Sequence, residues 1–227
     1  LTKMAKQTDE NLIDVGRVYT KTEKFIDNNG KPISIAVLVL VLAVAGYFGF
    51  TSYIDSQNIE AGENIWKAEY YFEIDSLDKA INGDGQYFGF EYVAENYKGT
   101  KNANLANYYL GLIYREKGDD ELAIEYFENA DVKDEVIGSI ALGNIGDIYV
   151  DLGDYKKAIT FFDKAISHSG NSYTAPIYLN KAAIVLTQIE NYKKARDYYQ
   201  KIVDDFPDSP EATAVKKNLA MVKQLAG

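Results

Sequence analysis

No cysteine occurs in the 227 residues. That absence excludes a disulfide, a thiolate nucleophile, a cysteine-based metal site and an acylated cysteine. Histidine is nearly absent too. The single His168 lies in "KAISHSG", at the expected end of a helix, where a cation favours the dipole and the ring can cover the core. With no positioned partner evident, it makes a poor catalytic base. Basic residues are outnumbered, 24 against 34 acidic, for a net charge of −10. Such a chain offers no face to neutralise phosphates, which argues against nucleic acid. Charge of either sign is missing from Pro32 to Ile54. Beyond that run the chain is mixed in charge and long enough for one domain with its own core.

The 22 residues from Ile33 to Ile54 would form a helix of roughly 33 Å, against a hydrocarbon thickness of ~30 Å. Pro32 is expected in its first turn, where the missing N–H costs nothing. Tyr47, Phe48, Phe50 and Tyr53 gather at its far end, where aromatic rings favour the membrane interface. Two rivals exist. "AVA" at 43–45 resembles a signal-peptide cleavage site, but the apolar run continues to Ile54 and Leu1–Lys31 precede it. A buried helix of a soluble protein is the other rival, and the uncharged length disfavours it. Lys3, Lys6, Arg17, Lys21, Lys24 and Lys31 stand before the run; in the 20 or so residues after it Lys67 is the one basic residue. The excess predicts a cytoplasmic N-terminus for a single-pass membrane protein, with the acidic bulk on the other side, in a periplasm or an equivalent space. Ala43, Ala45, Gly46 and Gly49 put small residues on one side of the helix, a surface on which another helix can pack closely in lipid. The expected organisation is an arm over 1–31, a transmembrane helix over 32–54 and a soluble domain over 55–227. The arm is expected to be loosely ordered to about Val18, with two helical turns ending at Asn28-Asn29-Gly30.

The soluble part repeats itself. "NLANYYLGLIYREKGDDELAIEYFENA" aligns with "SIALGNIGDIYVDLGDYKKAITFFDKA" at an offset of 35 residues. Gly111 matches Gly146, Tyr114 matches Tyr149, Gly118-Asp119 matches Gly153-Asp154, and Ala123, Phe127 and Ala130 match Ala158, Phe162 and Ala165. A third, more degenerate copy keeps Ala183, Leu186, Asn191, Ala195, Tyr199 and Pro207 in frame. This pattern resembles the tetratricopeptide repeat, a helix–turn–helix unit of about 34 residues. The expected fold is an all-α solenoid. Small residues let paired helices approach, and large aromatics fill the space between units. Gly-Asp ends one helix and starts the next. "FGFEYVAENYKGT" reads as the second helix of a worn early repeat, which predicts three and a half to four units. "SPEATAVKKNLAMVKQL" reads as a polar-faced capping helix with Ser209 or Asp208 at its start and Pro210 in its first turn. Trp66 is expected in the core or as a packing anchor.

Chemistry is sparse. Asn82, Asp84, Gly85 and Glu91 fit places in a calcium loop, but the first place falls on Ala80, so "NGDG" reads as a turn. Gly83, Gly85 and Gly89 follow no strand and make no phosphate cradle. No carboxylate pair stands out as an acid–base couple. No cofactor, metal site or catalytic group is expected. A cleaved enzyme precursor is a remote third class.

The resemblance implies a concave groove lined by the first helix of each unit. By register its residues are Leu105, Tyr108, Leu112 and Arg115, then Asp147, Val150 and Asp151, then Asn180, Ile184 and Thr187. The bland alternative is that Tyr108, Leu112 and Val150 merely cover the core. A basic clamp for chaperone C-termini is disfavoured, because Arg115 alone is basic among these positions. The whole layout, with "EKFIDNNGKP" before the span and repeats after it, is similar to the YfgM family. That resemblance implies a non-enzymatic adaptor ancillary to the SecYEG translocon, partnered by a PpiD-like periplasmic chaperone and by unfolded secretory or membrane clients. Leu186 and Ile202 depart from the repeat consensus, which puts partner contacts there in doubt. The alternative is a scaffold subunit of another envelope complex, for secretion or cell division.

Overall fold

The computed structural model describes residues 15–131, 133–169 and 171–227, with the side chains of 15–22 and 169 left aside. The arm expected to be loosely ordered lies, for residues 1–14, outside the described residues. The chain divides into two compact units, Leu1–Tyr53 and Ile54–Gly227.

Helix α1 covers Val15–Glu73, with Pro32 inside it. Two expectations fail here. The helix does not stop at Asn28-Asn29-Gly30, and Pro32 is not in a first turn. Extending an existing helix costs far less than nucleating one, so the helix of the apolar run propagates back through these residues. Asn29 turns its side chain onto its own helix, donating from Nδ2 to the Phe25 carbonyl at 2.9 Å. In the first unit Leu38, Leu40, Leu42, Phe48 and Phe50 are all exposed. One helix among the described residues is long and apolar enough to cross a membrane, and none of its apolar window is buried by protein.

The second unit is all-helical. After the end of α1 come α2 (Leu77–Asn82), α3 (Phe90–Asn96), α4 (Lys101–Glu116), α5 (Asp120–Asn129), α6 (Glu135–Asp151), α7 (Tyr155–Ser169), α8 (Thr174–Gln188), α9 (Tyr192–Asp205), α10 (Pro210–Ala214) and α11 (Lys216–Ala226). Helices α4/α5, α6/α7 and α8/α9 are the three repeat hairpins. Helix α3 is the second helix of the worn early unit, packed with the last turns of α1. The expected single capping helix is two, broken at Val215, with Ser209 accepting from the Ala212 N–H at 3.1 Å.

Local chemistry explains the punctuation. Asp119 accepts from the Leu122 N–H at 3.2 Å, Asp134 from Val136 and Ile137 at 2.9 Å, and Asn191 from Lys194 at 3.3 Å. Each satisfies donors that a helix start leaves unpaired. Gly118 and Gly153 take φ of 77° and 75° between paired helices. The degenerate third copy places Glu190 there at φ 59°, a left-handed conformation that costs a side-chain-bearing residue about 1–2 kcal/mol.

Three cores run along the stack. The first joins Ala61, Ile65, Ala68 and Tyr71 of α1 to Phe90 and Val93 of α3 and Ala106, Leu110 and Ile113 of α4. The second joins Ala123 and Phe127 of α5 to Ala141, Ile145 and Ile148 of α6. The third joins Phe162 of α7 to Leu179, Ala183 and Leu186 of α8, Tyr199 and Ile202 of α9, and Val222 of α11. Leu186 and Ile202, which break the repeat consensus, are thus core residues. Paired helices meet at the expected small residues. A methyl group on Gly111 would stand 2.6 Å from the Phe127 ring, and one on Gly146 would stand 2.6 Å from Phe162.

Candidate functional site

Helices α4, α6 and α8 are the first helices of successive hairpins, and the residues assigned to the groove lie on them. Arg115 comes from the last turn of α4, Asp147 from the last third of α6 and Lys181 from the middle of α8. Asp147 is the hub. Its carboxylate accepts from Lys181 Nζ at 2.7 and 2.9 Å, and Arg115 Nη1 stands 3.7 Å from Oδ2. Arg115 also donates to Asn144 Oδ1. The ladder runs diagonally, each partner about one turn earlier along its own helix than the last.

Beneath the ladder lies Tyr178, whose ring stacks on Phe162 at 6.1 Å. Burial pushes its phenol up, the Asp147 carboxylate adds to this, and the Arg115 guanidinium partly offsets it. Burial likewise raises Tyr108. Both tyrosines therefore stay neutral donors at physiological pH. The carbonyl oxygen of the Asn180 side chain is buried and has no hydrogen-bond partner among the described residues.

The structure brings Arg115 and Asp147 together. Leu105 packs as a partly buried residue against the first core, Tyr108 and Leu112 against the second, and Val150 against the third. Asp151 is exposed, Ile184 is 48% exposed and Thr187 is half-buried, its hydroxyl donating to the Ala183 carbonyl at 2.8 Å. Sequence reasoning missed Asn144, Lys181 and Tyr178. The signal for two of them was present: Asn144 and Lys181 each stand two residues before the small residue of their unit, Gly146 and Ala183. It also missed Gly143, where a methyl group would fall 2.0 Å from Tyr178 Cε1. A separate polar cleft of about 390 Å³, lined by Glu91, Glu95, Lys98, Asn107, Glu125 and Tyr126, contains none of the groove residues.

Among the described residues no group of three or more His, Asp or Glu side chains could hold a metal ion. Asp84 serves the "NGDG" turn: Oδ1 accepts from the N–H groups of Gln86 and Tyr87 at 2.9 and 2.8 Å, and Oδ2 from the Tyr71 hydroxyl at 2.6 Å. These bonds, led by the one from Tyr71, lower its pKa to about 2. The His168 ring covers no core; it is exposed, with Nε2 3.2 Å from the Asp134 carbonyl. Trp66 is 50% exposed and outside the core.

Residues 106–131 and 138–208 match models of the tetratricopeptide repeat. Among solved structures, nearly identical repeats of this type from a Podosopora anserina protein described as a kinesin light chain align with 78% of this chain and 88% of their own. They share 14% identity, with a TM-score of 0.49. A single-substitution variant of those repeats aligns over 78% and 87% at 14% identity, with a TM-score of 0.50. BtubC from P. vanneervenii aligns over 74% of this chain and 65% of its own, at 15% identity and a TM-score of 0.43. Comparison with curated protein sequences found no match. Likeness at these identities concerns the fold alone. The chain carries tetratricopeptide repeats within an all-helical solenoid fold. Repeats of this type act as scaffolds for protein–protein interaction.

Proposed function

We propose that the protein is a membrane-anchored adaptor, ancillary to the Sec translocon, whose solenoid binds a PpiD-like chaperone or emerging clients on the periplasmic side of the bacterial inner membrane. One observation carries the anchor: the apolar stretch of α1 has no protein covering it. Exposing such side chains to water costs roughly 1.5–3 kcal/mol each for the large ones, and lipid removes that cost. The basic excess before the stretch supports a cytoplasmic N-terminus. The repeats support the adaptor role, and the similarity of the whole layout to the YfgM family supports the translocon as its setting.

The groove suits a polypeptide ligand. Apolar side chains at Leu112, Val150 and Ile184 offer area, and the Arg115–Asp147–Lys181 ladder offers both signs of charge. Anchoring raises the effective concentration of weak contacts near the membrane. The test is isolation of the full chain with its membrane neighbours in mild detergent, together with a reporter active only outside the cytoplasm, fused after Gly227. The expected result is an active reporter and recovery of translocon subunits. A silent reporter overturns the orientation, and recovery of secretion or cell-division machinery instead overturns the translocon assignment.

A further inference from the structure

Within the second unit, α1 is apolar on two opposite faces. One face, with Ala61, Ile65 and Ala68, is buried in the first core. The other carries Ile59 at 68% exposure, Trp66 at 50%, Tyr70 at 45% and Ile74, just beyond the helix end, at 52%. Their spacings of seven, four and four residues place them on one stripe. The turn before α3 widens the stripe: Tyr87 packs edge-on to Trp66 at 5.6 Å, and Phe88 is exposed beside it. Among the described residues, α1 is covered on the Ala61–Ala68 face and open on this one.

The flanks of the stripe are acidic. Between Ile54 and Glu73 stand Asp55, Glu60, Glu63, Glu69 and Glu73 against one lysine. That lysine, Lys67, lies over the rings of its own helix, 4.3 Å from the Tyr70 centroid and 5.4 Å from Trp66. The other end of the stack has the complementary chemistry. Helix α11 buries Leu219 and Val222 and turns outward Met221 at 44% exposure and Leu225 at 51%. Lys216, Lys217 and Lys223 accompany them, and α11 contains no acidic residue. The outer face of α11 is therefore basic and carries two exposed apolar side chains, Met221 and Leu225.

We propose that copies of the chain associate end to end, the acidic aromatic face of α1 in one copy receiving the basic outer face of α11 from another. The two faces belong to the first and last cores of one stack, so the contact is between copies and heterologous. A symmetric α1–α1 pairing would bring Glu63 and Glu73 against their own copies and is disfavoured by charge.

The absence of cysteine makes the test direct. Full chain bearing Glu63→Cys and differently tagged full chain bearing Ala220→Cys are mixed in mild detergent and treated with a short bismaleimide. The expected product joins the two tags and exceeds products joining like tags. Adding Lys216→Glu and Lys217→Glu to the second copy should lower its yield several-fold. Glu60→Lys and Glu73→Lys in the first copy should restore it with that reversed partner, and helical circular dichroism checks that each variant is folded. No mixed product, a predominance of the Glu63→Cys product with itself, yields indifferent to charge reversal, or capture of the first copy solely by another protein's helix each overturns the proposal.

Discussion

Gly143→Ala adds one methyl group where the solenoid has no room. Gly143 lies inside α6, and the new carbon would stand 2.0 Å from Cε1 and 2.2 Å from Cζ of Tyr178. Ordinary carbon–carbon contacts begin near 3.5 Å, so the ring must retreat by about 1.5 Å. It cannot swing freely, because Tyr178 is buried and stacked on Phe162 at 6.1 Å. The adjustment falls on the contact between α6 and α8. Overpacking of this kind costs about 1–3 kcal/mol, and so severe an overlap belongs at the upper end. Alanine also favours the helix over glycine by about 1 kcal/mol. The net is a loss of about 2 kcal/mol. For a unit of this size that lowers Tm by about 4–8 °C. The assay is thermal unfolding of the full chain in mild detergent, followed by helical circular dichroism. A second variant, Tyr178→Leu, removes the obstructing ring; added to Gly143→Ala it should cost less than the two changes separately. An unchanged or raised Tm for Gly143→Ala would show that propensity alone acts there and that the close α6–α8 approach is wrong.

Three further outcomes are expected. Glu190→Gly should raise Tm, since relief of a left-handed residue at φ 59° recovers about 1–2 kcal/mol, and glycine's flexibility in the unfolded chain returns about half of it; a lower Tm would mean that Glu190 makes a stabilising contact. Gly46→Leu with Gly49→Leu should leave unfolding of the second unit unchanged, because a side chain there meets nothing within 4 Å, while weakening recovery of membrane partners; Tyr108→Ser with Leu112→Ser should retain membrane partners and lose the others, and identical losses from both pairs would refute separable sites. Tyr71 is raised to about 12, chiefly by its hydrogen bond to Asp84, and burial raises Tyr114 and Tyr178. The folded state favours the neutral phenols, so their stabilisation is full below the usual tyrosine pKa and is lost as pH rises through the folded values. Tyrosinate absorbance should therefore lag ordinary titration until helix is lost. Full ionisation near pH 10 with helix intact would refute this.

Helix pairing was legible because it depends on local spacing. The 35-residue period, the small residues Gly111 and Gly146, and the Gly-Asp junctions state which helices pair and where they turn. The uncharged run from Pro32 to Ile54 was equally plain. Its helix boundary was not, because a helix nucleated in the apolar run extends back through Asn28-Asn29-Gly30 and Pro32 without a new nucleus. Which of its two expected places Trp66 takes, core or packing anchor, was not legible for a related reason. Its spacing marks an apolar face, and α1 has two, one of which packs on α3 and α4 while the other meets solvent.

The sequence alone determined that this is an all-helical repeat protein with one long apolar helix, since period and hydropathy are properties of neighbours along the chain. The tertiary structure decided which side chains meet across units. Asp147 gained Lys181 and Arg115 because successive first helices lie side by side with a stagger of about one turn. Gly143 became a close contact because Tyr178 arrives from α8. Met221 and Leu225 of α11 stayed open because the helix turns Leu219 and Val222 into the third core and these two away from it. Those relations depend on the distance and rotation between helices far apart in the chain, which side-chain packing sets and local spacing does not encode.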